Sequence, residues 1–313
     1  MRIIYAGTPE PAVAPLRLLA AADGIEIAAV LTRTDALVGR KRVLTPSPVA
    51  AAALELGLPV LKANRVDEEI VERIRGTGAQ AGAIVAYGAL LKRPALEALP
   101  LGWVNLHFSL LPQRRGAAPV QHGLIHGDAE LGATAFLLDE GMDTGPVLAT
   151  SRTRLRDDDV AGTLLQRMSH ETAPLLVEAL QRLERGERPS PQEGEPTTAP
   201  KLTTADSRID WTRSAAEVAR LVRGTIPEPG PWTELDGQRF KLVDRVVEVP
   251  GAEDLAPGEA RVRDGRVLVG TATHAVELLR VQPAGKQAMA AGDWARGRLG
   301  SSRGDDTTRT VFA

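Results

Sequence analysis

Cysteine is absent from the 313 residues, which excludes disulfides and any metal site built on thiolates. Aromatic residues are scarce at 3%, so alanine, leucine and valine must do most of the packing. No apolar run is long enough to span a membrane. The first residues read as a strand rather than a signal peptide, so the chain is read as cytoplasmic. Charge of one sign is missing too: 38 basic residues against 40 acidic ones leave a net charge of -2. That balance argues against bulk attraction to nucleic acid, although a local basic patch can still bind RNA. The five histidines show no metal-ligand spacing. His122 and His126 lie one helical turn apart without an accompanying glutamate motif and mark a helix surface. The glycine after the first strand, Gly7, is not followed by a full Gly-x-Gly-x-x-Gly, so no dinucleotide site is assigned.

What remains is the composition of a soluble globular protein, 43% hydrophobic and 25% charged, with a length that suits two domains. Residues 1 to about 185 alternate strand and helix. Ile3–Ala6 reads as a strand, with Thr8 placed to cap a helix that begins at Pro9. Ile25–Leu31 is a strand, Pro48–Leu56 a helix, Pro59–Leu61 a short strand and Val66–Arg75 a helix that buries Ile70, Val71 and Ile74. Ala83–Ala86 is a buried strand ending at Gly88. This order predicts an α/β fold with a mostly parallel, Rossmann-like sheet. Val160–Gly186 is helical, with Pro174 expected to kink or divide it. Residues 187–204, rich in Pro, Glu, Thr and Ser and without periodicity, read as an extended linker. Beyond Ser207, Ser214 caps a helix to Val222. Asp236-Gly237, Pro257-Gly258 and Asp264-Gly265 then punctuate short alternating segments as hairpin turns. These predict a small β-barrel, followed by a weakly ordered tail from Arg298. The division is 1–187, linker 188–206 and 207–313.

The densest functional signal spans about forty residues from Val104 to Gly145. Between Trp103 and Phe108 the pattern alternates, which sets Asn105 and His107 on one face near the carboxyl end of a strand. Ligands bind at such strand ends in open α/β sheets, and an amide beside an imidazole can donate to a developing oxyanion. A half-exposed strand carrying two solvated polar groups is the alternative. Pro112, Gly116 and Pro119 then break the chain into turns. Leu110 and Leu111 are apolar in that loop, suited either to lining a pocket for a flat ligand or to a structural loop. Pro119 starts a helix that Gly127 ends. Farther on, Asp139 and Asp143 flank Gly141 before the turn Thr144-Gly145-Pro146. Such a carboxylate is often a turn cap. Beside an imidazole it orients the ring, holds it cationic or takes up a proton. No spacing rule puts Asp143 beside His107, so that contact is an inference.

Asn105-Leu106-His107, Ser109-Leu110-Leu111-Pro112, Arg115-Gly116-Ala117-Ala118-Pro119-Val120-Gln121 and Asp139-Glu140-Gly141-Met142-Asp143-Thr144-Gly145, in this order, resemble the formyltransferases that use 10-formyltetrahydrofolate. The similarity covers nearly the whole chain. It includes Arg2 to Pro9, Thr45 to Val49, Val85 to Gly88, Ser207 to Trp211 and Leu279 to Lys286. The Arg-Gly-Ala-Ala-Pro extension and the C-terminal motifs place it closest to members that act on initiator methionyl-tRNA. Two departures stand out. Phe108 replaces a small residue, which would narrow the pocket mouth or shift His107. Ile226-Pro227-Glu228-Pro229-Gly230 differs from the family's Asn-Pro-x-Pro-Gly with an aromatic at x.

The resemblance implies formyl transfer to the α-amino group of the charged methionine, with Asn105, His107 and Asp143 as the catalytic set. Folate would lie against Ser109, Leu110, Leu111 and Pro112, against Gly88, Ala89 and Leu90, and against Asp139, Glu140, Gly141 and Met142. It implies an OB-like C-terminal barrel, no metal, and a monomer. It also gives a meaning to the basic run in which Arg33, Arg40, Lys41 and Arg42 face only Asp35. Such a run is commonly a solvated loop, but in this family a basic loop inserted here contacts tRNA through positions such as Arg40, Lys41 and Arg42. The rivals are formylation of an amino sugar nucleotide or glycinamide ribonucleotide, hydrolysis of the formyl folate, and a non-catalytic RNA-binding protein.

Overall fold

The computed structural model describes residues 1–39, 41–298 and 310–313. The chain forms two compact units, one of Met1–Pro119, Glu130–Arg154 and Leu165–Ala199, the other of Val120–Ala129, Leu155–Leu164 and Pro200–Ala313. Among the described residues no helix is long and apolar enough to cross a membrane.

The elements follow the expected alternation: β1 (Arg2–Gly7), α1 (Val13–Ala21), β2 (Glu26–Thr32), β3 (Ala36–Val38), β4 (Val43–Thr45), α2 (Pro48–Glu55), β5 (Val60–Lys62), α3 (Glu68–Gly76), β6 (Ala81–Val85), α4 (Arg93–Leu96), β7 (Trp103–His107), α5 (Pro119–His126), β8 (Leu131–Leu137), β9 (Val147–Thr153) and α6 (Ala161–Glu184). Seven strands form one sheet in the order β5-β2-β1-β6-β7-β8-β9. The first five run parallel, and β8 and β9 join antiparallel. The parallel strands β1 and β6 are buried almost throughout, as expected when both faces of a sheet are covered. Helix starts follow the local chemistry. Ser47 Oγ accepts the Ala50 N–H at 3.0 Å, and Asp67 Oδ1 accepts that of Ile70 at 3.1 Å. Ile70, Val71 and Ile74 are buried as their spacing predicts.

Four local expectations are corrected. Thr8 caps no helix; a 3-10 turn at Glu10–Ala12 precedes α1 without a side-chain cap, and the Thr8 hydroxyl donates instead to Tyr87 O at 2.7 Å. Pro174 lies inside α6 without dividing it, since one lost donor in 24 residues does not outweigh a helix with so many buried side chains. The Arg33–Arg42 stretch is not simply a loop, because it enters the hairpin β3–β4, whose Leu37, Val38, Val43 and Leu44 are exposed. Arg40 lies outside the described residues. Finally, Pro257-Gly258 does not link paired strands, as described below.

In the second unit, Ser214 and Glu217 make a full capping box at the start of α7 (Ala215–Thr225). The strands are β10 (Trp232–Leu235), β11 (Gln238–Leu242), β12 (Val246–Val249), β13 (Glu259–Arg263), β14 (Arg266–Val269), β15 (Ala275–Leu278), β16 (Arg280–Gln282), β17 (Met289–Ala290) and β18 (Thr310–Val311), with α8 (Ala291–Arg298) before the last. They build two antiparallel sheets, β10-β11-β16-β17 and β12-β15-β14-β13-β18. Asp236-Gly237 and Asp264-Gly265 turn hairpins through paired positive φ values of 50° and 71°, and of 49° and 76°. Pro257-Gly258 instead leads into β13, whose partners are β14 and β18 rather than the preceding β12. Half of the scarce aromatics lie in this unit, Trp211, Trp232, Phe240, Trp294 and Phe312. Phe240 meets Trp294 and Phe312 with centroids 4.9 and 5.0 Å away. Residues 299–309 of the expected tail lie outside the described residues. Its end is ordered, because Phe312 is buried at 3% exposure in this cluster and pulls Thr310–Val311 onto β13.

One glycine in the first sheet is required by space rather than by φ. A Cβ on Gly82 would stand 1.9 Å from Trp103 Cε3, on the neighbouring strand. Trp103 is fully buried and anchored by its Nε1–H to Ala95 O at 2.8 Å, so the indole has nowhere to move. Gly82→Ala is expected to cost at least about 1–3 kcal/mol by overpacking. Urea unfolding of both proteins measures it, and an unchanged midpoint would contradict the packing described.

Candidate functional site

The carboxyl ends of β6 and β7 open into a cavity of about 510 Å³. Its lining comes from the first unit alone. After β6 the chain turns through Ala86, at φ 48°, and Gly88, at φ 82°, which brings the segment to Leu91 over the strand ends. Positive φ is unusual for alanine and marks the segment as held by its surroundings. Tyr87 supplies that hold, since its phenol donates to Ala63 O at 2.8 Å. Arg33 adds to it by donating through Nη1 to Gly88 O at 2.9 Å. This cation from the basic run is therefore engaged in the wall, whereas Lys41 and Arg42 are exposed on the hairpin.

Asn105 and His107 both line the cavity, as the period-two pattern predicts. Antiparallel pairing fixes their register, Asn105 opposite Phe136 and His107 opposite Thr134. His107 is buried, at 7% exposure. Its Nε2 lies 3.0 Å from Arg114 O. A carbonyl only accepts, so Nε2 carries a proton and Nδ1 is left as the nitrogen able to take or give one. Nδ1 stands 3.8 Å from Asp143 Oδ2, so the contact that no spacing rule supplied is present as a close approach beyond hydrogen-bond distance. The same carboxylate oxygen accepts the Gly116 N–H at 2.8 Å. Asp139 has the turn-capping role, with Oδ1 accepting from Gly141 N at 3.0 Å and Thr144 Oγ1 at 2.7 Å.

The structure gathers Asn105, His107, Asp143, Gly88, Ala89, Leu90, Asp139, Glu140, Gly141 and Met142 around this one cavity. Ser109, Leu110, Leu111 and Pro112 are not in its lining. They form the turn that follows it. Ser109 Oγ donates to Gln113 O at 2.7 Å, and Thr134 Oγ1 accepts from Leu111 N at 3.0 Å while donating to Ser109 O at 2.7 Å. Phe108 is in the lining and buried, at 6% exposure. The sequence reading missed Ala86, Tyr87, Ala117 and Leu138 as wall residues. Apolar and small side chains carry no chemical signal of their own, although Ala86, Tyr87 and Ala117 lie within the quoted motifs and Leu138 adjoins one.

Residues 1–180 match the formyl transferase family, and residues 201–299 match the formyl transferase C-terminal domain. The methionyl-tRNA formyltransferase of Arthrobacter sp. (strain FB24) is 53% identical over 300 residues, covering 96% of this chain and 97% of the relative. Among solved structures, methionyl-tRNA formyltransferase from Clostridium thermocellum aligns with a TM-score of 0.59 at 16% identity, over 89% of this chain and 99% of that one. HypX from Aquifex aeolicus in complex with tetrahydrofolic acid aligns with a TM-score of 0.65 at 16% identity, over 100% of this chain and 51% of HypX, so the chain spans about half of that protein. At such identities the structural likeness is one of fold.

Tyr87 provides a test of the wall. Burial pushes its phenol up to about 12, against a smaller opposing effect of the Arg33 charge. Burial also raises Tyr5, the only other tyrosine. The neutral phenol is the form favoured on folding. The corresponding stability is therefore complete below the ordinary value of 10 and is lost as pH rises through about 12. Ultraviolet titration of the folded protein should show no tyrosinate near pH 10. In Tyr5→Phe the remaining transition should fall near 12 or at alkaline unfolding. A transition at the ordinary value in the folded state would place Tyr87 in solvent.

Proposed function

Because the chain belongs to the formyl transferase family, we propose that it moves the formyl group of 10-formyltetrahydrofolate to the α-amino group of methionine carried on initiator tRNA. It does so in the cytoplasm, for translation initiation, as a monomer and without a metal. The observation that carries the reading is the meeting of Asn105, His107 and Asp143 on one cavity at the strand ends.

The free amine attacks the formyl carbon, and the carbonyl oxygen becomes an oxyanion. The Asn105 amide donates to that oxygen, and so does His107 through Nδ1–H when Asp143 holds the ring cationic, its Nε2–H being taken by Arg114 O. Preorganised donors act most strongly at this oxygen because charge develops there. Asp143 orients His107 and receives the proton lost by the amine, directly or through water. Collapse of the tetrahedral intermediate breaks the bond from the formyl carbon to folate N10, which takes back the proton that Asp143 received and leaves as tetrahydrofolate. The flat folate ring lies against Gly88, Ala89 and Leu90 and the segment Asp139 to Met142. Ser109 to Pro112, outside the lining, form the turn that supports this wall. Residues 1–187 carry the chemistry, and the β-rich part from 207 to 313 offers a second surface to the tRNA. Lys41 and Arg42 on the exposed hairpin, with Arg40 beside them in the chain, contact RNA phosphates.

His107→Ala is expected to lose most of kcat with little change in folate binding, and Asn105→Ala to lose about 100- to 1000-fold. Single-turnover formylation of charged tRNA measures both, and near-normal turnover in two folded variants would refute the assignment. The same assay with an amino sugar nucleotide or with water as acceptor separates the rival activities. Replacing Arg40, Lys41 and Arg42 together with Ala should raise KM for charged tRNA. It should also shallow the log-log salt slope by about 0.7–0.9 for each phosphate that the variant no longer neutralises. Folate affinity should hold, and its equal loss would make the hairpin structural.

A further inference from the structure

The Pro-rich stretch before Ser207 is more than a spacer. From Ser190 to Ala199 it runs along the loop that follows β7 and the loop that carries Asp143. Ser190 exchanges backbone hydrogen bonds with Val147 at 2.7 and 2.9 Å. Thr197 accepts the Arg114 N–H on Oγ1 and the Arg115 N–H on its carbonyl, both at 2.9 Å. Ala199 donates to Arg115 O at 2.7 Å and accepts from Ala118 N at 3.0 Å. The approach is so close that a Cβ on Gly116 would stand 2.7 Å from Ala199 O.

Gln192 is the side chain in this stretch that joins the two loops to each other. Its Nε2 donates to Asp143 O and to Gly145 O, both at 2.8 Å. Its Oε1 accepts from Arg115 Nη2 at 2.6 Å and from Arg115 Nε at 3.2 Å. A primary amide has two donor hydrogens and one oxygen with two lone pairs, and all are used here. The amide orientation is unambiguous, because reversing it would set an oxygen against two carbonyls and an NH2 against a guanidinium. The result is a closed ring. Gln192 holds the Asp143 backbone, the Asp143 carboxylate holds Gly116 N–H, and the next residue back, Arg115, returns to Gln192. His107 is tied to the same ring through Arg114 O. Asp143 itself has a φ of 54°, in the left-handed region that aspartate tolerates better than most side-chain-bearing residues.

We propose that Gln192 is a positioning residue, which fixes the Asp143 carboxylate relative to His107 by clamping the loop of Asp143 to the loop of Arg115. It is not in the cavity lining and acts only through the residues it holds. The inference rests on the catalytic role given above to Asp143.

The test uses the full chain with formyl folate and charged tRNA. Gln192→Glu keeps the size and the Arg115 partner but loses both donors and turns a negative oxygen towards two carbonyls. Gln192→Ala removes the clamp without adding charge. Misplacement of a reacting group by an ångström can cost about 100-fold. Both variants are therefore expected to melt near the parent temperature and to lose roughly 10- to 100-fold in kcat, with KM for either substrate within about two-fold. In an Asp143→Ala background the Gln192→Glu loss should shrink to within about two-fold, because the residue then has nothing left to position. An undiminished kcat in both single variants, while Asp143→Ala is impaired, would overturn the inference and leave the proposed function standing. The same holds if the full loss persists beside Asp143→Ala, or if neither Gln192 variant folds. A normal kcat in Asp143→Ala would overturn both.

Discussion

The geometry of the site depends on the hydrogen bond from the Gly116 backbone N–H to the Asp143 carboxylate, within the ring that Gln192 closes. It joins the loop after β7 to the loop after β8. Without it, nothing in the local chemistry of either loop would bring Asp143 to His107, which sits 36 positions earlier in the chain. The donor has to be a backbone N–H at a residue without a side chain, because Gly116 has a φ of 121° and packs against Ala199 O. A charge-assisted bond to a carboxylate is stronger than a neutral one, which suits the task of holding two loops in a single register.

The sheet sets the frame on which that bond acts. Strands β1 and β6 are buried and β7 is held between a parallel and an antiparallel neighbour, so the ends of β6 and β7 are rigid. Rigid strand ends with loops laid over them give fixed side chains and an adaptable wall, a usual division of labour in α/β folds. The wall segment Ala86 to Leu90 owes its course to Tyr87 and Arg33, neither of which is chemically involved in the proposed reaction.

A net charge near zero is compatible with RNA as substrate because charge position matters more than its sum. In the first unit Arg33 and Lys62 are engaged by Gly88 O and Asp35, while Lys41 and Arg42 stand exposed on a hairpin that also exposes Leu37, Val38, Val43 and Leu44. The scarcity of aromatics is likewise a matter of placement. Four of the rings form the core of the second unit, where a small β-rich body needs large apolar side chains to bury enough surface.

Local rules sufficed for much of this protein. Alternation put Asn105 and His107 on one face of β7, Ser214 announced its helix, and Asp-Gly pairs announced two hairpins. Each of these rests on residues within a few positions of one another, so a linear reading contains the physics. Motif order identified the family for the same reason, since chemistry demands particular residue types. Tertiary structure alone decided the rest. Thr8 bonds Tyr87 instead of capping, Phe312 is drawn into an aromatic core, and Gln192 reaches Asp143 across 49 positions. In each case a polar or apolar group had more than one way to be satisfied, and the choice depended on which partner the folded chain brought within reach. No pattern of neighbours along the sequence encodes that distance.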